Sequence, residues 1–226
     1  MILLDIEGTT TPIAFVTKTL FPYARTHLSA YLREQERSPE CAQVIGRLHA
    51  EYEHDREAGD EVPPWSPLDY AGWLMDRDRK SPALKDLQGR VWEEGYRSGT
   101  LVGQVFDEVP AALARWRADG TPVGIFSSGS VLAQQWLFRR STAGDLTPML
   151  RYYFDTEIGA KQDPASYTRI AERVNLHPDE ILFISDVLGE LNAARAAGLR
   201  TTMSVRPGNP QQPEHDHRVV TTFDEL

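Results

Sequence analysis

Four times along this chain a short apolar run stops dead at small or charged polar residues, the arrangement a parallel sheet with ligands at its strand ends requires. The first is Ile2-Leu3-Leu4, halted by Asp5, with Glu7 two places on and then Gly8 and Thr9 to Thr11. The others lie in "PVGIFSSGS" (122–130), "YYFDTEIGAKQDPASY" (152–167) and "ILFISDVLGEL" (181–191). Helical spacing follows the later three. Val131, Leu132 and Trp136 share a face, as do Tyr167, Ile170, Ala171 and Val174. The second of these helices has Asp163 as N-cap and Pro164 at its first position. "LNAARAAG" runs to Gly198, suited to a helix C-terminus, and a further strand is expected at about Arg200–Val205. Strands alternating with helices predict an α/β fold, a doubly wound parallel sheet with a Rossmann-type core.

Residues from about 15 to 105 read differently, because strand signals are scarce and helical ones dominate. Cys41, Val44, Ile45, Leu48 and Tyr52 keep helical spacing after Ser38-Pro39. Leu84, Leu87, Val91 and Tyr96 do the same, ending near Gly99, and the proline-rich "EVPPWSP" separates the two. The expected organisation is an α/β core of residues 1–14 and 106–226, with an all-helical insert, 15–105, after the first strand. The tail "RPGNPQQPEHDH" (206–217) has loop composition, and His215 and His217 read as solvated loop histidines rather than metal ligands.

With 226 residues, 41% hydrophobic and 25% charged, the chain has the make-up of a soluble globular protein. Its net charge of −9 argues against nucleic acid or an anionic membrane as partner. A lone cysteine, Cys41, forms no internal disulfide and points to a reducing compartment. Asp5 interrupts any signal-like start, and no apolar run approaches a membrane span. A cytoplasmic protein is expected, with nothing that calls for an obligate partner, hence a monomer.

The strand ends carry, in order, Asp5 and Glu7; Ser127 and Ser128; Lys161; and Asp186 with Glu190. Each has an ordinary reading alone: a serine as N-cap, a surface lysine, a glutamate favoured at a helix start. On parallel neighbouring strands, however, these side chains converge on one crevice. Carboxylate oxygens there suit Mg²⁺, which usually takes one or two carboxylates plus substrate phosphate. The cation and Lys161 would neutralise a phosphoryl group. The Ser127 hydroxyl and the N–H groups of the Ser128-Gly129 turn can cradle its oxygens. Asp5 is then a plausible nucleophile, giving an aspartyl-phosphate, and Glu7 a plausible acid and base for the leaving oxygen and the water.

This order of motifs resembles that of the haloacid dehalogenase-like hydrolase superfamily. Asp5-x-Glu7-Gly8-Thr9 is similar to its first motif, Ser127 to its second, Lys161 to its third, and Asp186 with Glu190 to its fourth. The helical insert resembles its cap domain. Most phosphatases of the superfamily have an aspartate where this chain has Glu7. Glu7 together with "GTTTPIAFV", "LFPYA", "FSSGSV" and "VRPGN" resembles the acireductone synthase (enolase-phosphatase) family of methionine salvage. That resemblance implies enolisation of 2,3-diketo-5-methylthiopentyl-1-phosphate, followed by phosphate removal. It further implies Asp5, Glu7 and Asp186 around Mg²⁺, and Ser127, Ser128 and Lys161 on the substrate phosphate. Glu7 is the candidate for the added proton transfer.

Three rivals stay open. A phospho-acceptor receiver domain also carries Asp, Ser/Thr and Lys at strand ends, but the motif order and the helical insert disfavour it. A dehalogenase would use Asp5 on carbon without metal, and the further acids disfavour that. A phosphatase acting on a small sugar phosphate would use the same motifs.

Overall fold

A computed structural model describes residues 1–226. Six strands form one sheet in the order β3-β2-β1-β4-β5-β6. They are β1 Ile2–Leu4, β2 Val123–Phe126, β3 Tyr152–Phe154, β4 Leu182–Ser185, β5 Arg200–Ser204 and β6 Arg218–Val220. Every neighbouring pair is parallel, as the alternation of strands and helices predicts. The central β1 places Leu3 opposite Gly124 of β2 on one side and Phe183 of β4 on the other. Its successive residues serve opposite faces: Ile2 and Leu4 join one apolar cluster, Leu3 another. Both faces are therefore covered, and this is why the strand is uninterrupted by polar residues until it ends.

Between β1 and β2 the chain is helical. Helix α1 (Ile13–Phe15) passes through a π-helical turn (Val16–Leu20) into α2 (Phe21–Glu34). Then come α3 (Pro39–Glu57), α4 (Pro67–Asp76), α5 (Pro82–Ser98) and α6 (Val109–Ala118). One local device starts three of them: Ser38, Ser66 and Ser81 each accept a hydrogen bond from a backbone N–H in the first turn, with proline next. Gly99, at φ +78°, closes α5 in a left-handed conformation that costs glycine least. Cys41, Val44, Leu48, Leu84, Leu87 and Val91 are all buried in the same apolar cluster as Ile2 and Leu4. The two chain crossings are tied together where Phe106 N–H donates to the Thr10 carbonyl (3.0 Å).

Helices α7 (Val131–Arg139), α8 (Pro164–Val174) and α9 (Leu188–Ala196) follow β2, β3 and β4. Ser130 caps α7 and Asp163 caps α8. Capping therefore falls to Ser130, so Ser127 and Ser128 are not needed for it. Helices α2 and α4 and the short β6 are additions to the sequence reading. No helix is long and apolar enough to cross a membrane.

The expectation of solvated histidines is corrected at His217, which is buried. Its Nδ1 accepts from the Thr201 hydroxyl (2.7 Å) and the Arg195 guanidinium, and its Nε2 lies 3.0 Å from Asn192 Oδ1. The reason is β6: by pairing with β5 it draws the preceding residues against α9.

Candidate active site

The loop after β1 explains the run of threonines. The Ile6 carbonyl accepts from the N–H groups of Thr9, Thr10 and Thr11 (3.2, 3.0 and 2.9 Å), and Gly8 N–H donates to the Thr11 carbonyl (2.8 Å). The Thr10 hydroxyl lies 3.2 Å from the carbonyls of both Asp5 and Ile6. Gly8 sits at φ +69°, and a Cβ there would stand 2.3 Å from Asp186 Oδ2. Only glycine lets the loop pass that close to the Asp186 carboxylate.

Asp5 is buried and held on both oxygens. Its Oδ1 accepts from Ile6 N–H (2.7 Å) and pairs with Lys161 Nζ (2.6 Å), while Oδ2 lies 3.1 Å from the Ser185 hydroxyl. Lys161 also pairs with Glu190 Oε2 (2.7 Å), and that oxygen is 3.0 Å from the same Ser185 hydroxyl. Asp5, Lys161, Ser185 and Glu190 thus form one buried ring of polar contacts. Burial works to lower the Lys161 pKa, but the charges of Asp5 and Glu190 outweigh it and the net shift is upward. Burial, and then the charge of Asp5, raises Glu190. The same two causes push Asp186 up to about 7.

Three buried carboxylates, those of Asp5, Asp186 and Glu190, thus share a site with one ammonium, and Glu7 stands near enough to feel the charges of Asp5 and Lys161. A divalent cation fits this donor set, which is all oxygen and short of positive charge. No three acidic side chains converge to hold a cation by themselves. Any cation held here would take its remaining ligands from water and substrate oxygens.

Glu7 takes a different place. Partly exposed, it lines a cavity of about 570 Å³ between the sheet and the helices that follow β1, together with Ser127, Ser128 and Gly129. Burial, then the nearby Asp5 charge, raises its pKa. The serine turn is shaped from behind by Gln134, whose Nε2 donates to the carbonyls of Gly129 and Phe154 (both 2.8 Å). The helices after β1 contribute apolar Leu20, Phe21, Leu84 and Trp92 together with the charged Arg25, Asp78, Arg79, Lys80 and Lys85, and α7 adds Leu137. Tyr96 also lines the cavity; its buried hydroxyl has no partner, and burial drives its pKa well up. The π-helical turn contributes Val16, Thr17 and Leu20 to the cavity lining.

The strand ends therefore bring Asp5, Lys161 and Glu190 into direct contact, set Asp186 against Gly8, and place Glu7, Ser127 and Ser128 on the cavity. Sequence reasoning passed over Ser185 and Gln134. Ser185 stands beside Asp186 as the last residue of its strand, so a signal was present for it; Gln134 had none.

This is the crevice of a haloacid dehalogenase-like hydrolase, and a family model of that description matches residues 1–198. The chain belongs to that family, and it is a phosphohydrolase. Within it, similarity to enolase-phosphatase E1 proteins runs end to end. The chain is 48% identical to that of Synechococcus elongatus and 44% identical to that of Sorangium cellulosum, each over 100% of this chain and 96% of the relative. It is a member of the enolase-phosphatase E1 family. The UTR4 protein of Saccharomyces cerevisiae superposes with a TM-score of 0.81 at 32% identity, covering 100% of this chain and 99% of that one. The fold alone is shared with CbbY of Rhodobacter sphaeroides, in complex with xylulose-1,5-bisphosphate, at a TM-score of 0.59 and 17% identity.

Proposed function

We propose that this protein is a Mg²⁺-dependent enolase-phosphatase of methionine salvage, converting 2,3-diketo-5-methylthiopentyl-1-phosphate to the acireductone and phosphate. The observation that carries it is the cavity: a polar end at Glu7 and Ser127–Gly129, continuous with the apolar side chains Leu20, Phe21, Leu84 and Trp92 from the helices after β1. A substrate with a phosphate at one end and a thioether at the other matches that polarity. A small sugar phosphate would leave the apolar side chains of Leu20, Phe21, Leu84, Trp92 and Leu137 without a partner.

Asp5, Asp186 and Glu7, the last by side chain or carbonyl, would hold the cation. When bound, Mg²⁺ supplies positive charge for the phosphoryl oxygens and makes the C–H beside a substrate carbonyl more acidic. Ser127, Ser128 and the turn N–H groups orient the phosphate, and Lys161 fixes Asp5 while offering its charge to the same group. Asp5 attacks phosphorus, giving an aspartyl-phosphate that water hydrolyses. Glu7, on the cavity side, moves protons, both at carbon during enolisation and at the leaving oxygen. Residues 15–105 act as a cap that excludes water from phosphoryl transfer, on a core of 1–14 and 106–226. The enzyme works as a monomer in the cytoplasm.

The test is phosphate release from the diketone phosphate beside a panel of simple phosphomonoesters, with and without Mg²⁺. Preference for the diketone phosphate with loss of activity under chelation supports the reading. Equal turnover of sugar phosphates overturns the substrate.

A further inference from the structure

The "VRPGN" stretch takes no part in the chemistry above, yet it grips the loop that carries Gly8. Arg206, buried and paired with Glu108 Oε1 (2.5 Å), donates from Nε and Nη2 to the Thr9 carbonyl (3.3 and 3.1 Å). Asn209 Nδ2 donates to the carbonyls of Gly8 (2.9 Å) and Ser204 (3.3 Å), and the Ser204 hydroxyl also reaches the Gly8 carbonyl (3.3 Å).

Those two donations fix the sense of the Asn209 amide, because the opposite orientation would set its oxygen against two carbonyl oxygens. Its Oδ1 is therefore committed to the other side. There it is buried and has no hydrogen-bond partner. The position beside Gly8 that a Cβ would take is 3.0 Å from this Oδ1 and 2.3 Å from Asp186 Oδ2. Both oxygens thus crowd the same side of Gly8. An unmet buried acceptor is costly, and the Asn209 oxygen points to a donor that arrives with a ligand.

We infer that Asn209 is a positioning residue of the cation site. Its Oδ1 accepts a hydrogen bond from a water of the hydrated Mg²⁺, on the side where Asp186 binds. This rests on the Mg²⁺ reading proposed above. Waters on a small divalent cation are strong donors, and partners beyond the direct ligands typically change metal affinity by about 10–100-fold.

The experiment is a titration of apo protein with MgCl₂, reading the melting temperature and, independently, the heat of binding. Three variants are compared with the parent. Asn209→Ala removes the acceptor. Asn209→Asp keeps an oxygen in its place, loses the donations to the loop and adds a negative charge that favours the cation. Ser204→Ala removes one donation to the Gly8 carbonyl and leaves the acceptor alone. The expected result is a loss of Mg²⁺ affinity of roughly tenfold in Asn209→Ala, with Ser204→Ala within about threefold of the parent and Asn209→Asp binding no more weakly than the parent. Parent-like affinity in Asn209→Ala overturns the inference, and so does an equal loss in Ser204→Ala, which would make loop anchoring the cause. Should Asn209→Ala show no cooperative melting, Asn209→Asp decides: a tenfold loss there also overturns it. A parent whose melting and heat do not respond to Mg²⁺ overturns the cation reading itself, which separates the two failures.

Discussion

Lys161 Nζ stands between Asp5 Oδ1 at 2.6 Å and Glu190 Oε2 at 2.7 Å, and all three side chains are buried. The ammonium is shared by two acids, Asp5 from the end of β1 and Glu190 from the first turn of α9. It is the one cation in contact with Asp5, so the charge balance of the crevice turns on it.

Replacing Lys161 with Met keeps the length of the side chain and removes its charge. Breaking a buried ion pair from one side costs about 3–5 kcal/mol, and denaturant unfolding without divalent cation should show a loss of that order. Phosphate release should fall by at least about 100-fold. A variant as stable as the parent would mean that Asp5 and Glu190 take up protons at no cost when the lysine is gone.

Glu7 faces the cavity rather than the ring around Lys161, and this separates its role from that of Asp5. In Glu7→Gln, followed spectroscopically for the enol and chemically for phosphate, enol formation should slow by about 10²–10⁴-fold, the usual contribution of a positioned acid or base. Enolisation at the parent rate, with only phosphate release reduced, would place the base elsewhere.

His217 yields a pH signature remote from the chemistry. Burial first, and then the Arg195 charge, lowers its pKa below the ordinary 6.5. The unfolded chain therefore binds a proton before the folded one does. The contribution of His217 to stability is full above pH 6.5, declines as pH falls below that value, and levels off below the folded-state pKa. Protonation would also put a proton on Nδ1, which accepts from Thr201. Melting temperatures between pH 8 and 5 should fall more steeply for the parent than for His217→Asn; parallel curves would remove His217 as a titrating group.

What was legible in the sequence is local. Asp5, Lys161, Asp186 and Glu190 could be found because each follows an apolar strand by a few residues, and parallel order alone brings strand ends together. The Ser-Pro starts of α3 and α5 and the Gly99 stop are likewise rules of adjacent residues. What was hidden depends on distant partners. Ser185 reads as one more strand residue until Asp5 and Glu190 close on it. Asn209 and Arg206 lie in a stretch of loop composition, and their purpose lies 201 and 197 residues earlier, at Gly8 and Thr9. His217 looked solvated because β6 is only three residues long, two of them exposed. Whether Glu7 meets a cation by its side chain or its carbonyl was not legible in the sequence, and only the fold places the residue on the cavity wall.

The most direct test of Asp5 as nucleophile is phosphate release from the diketone phosphate by Asp5→Asn in the presence of Mg²⁺. Asparagine keeps an oxygen for Ile6 N–H and Lys161 but cannot form an aspartyl-phosphate. The expected result is a cooperatively melting protein whose phosphate release is reduced by at least about 10³-fold. Turnover at the parent rate in that folded variant would contradict the assignment and, with it, the route through an acyl phosphate.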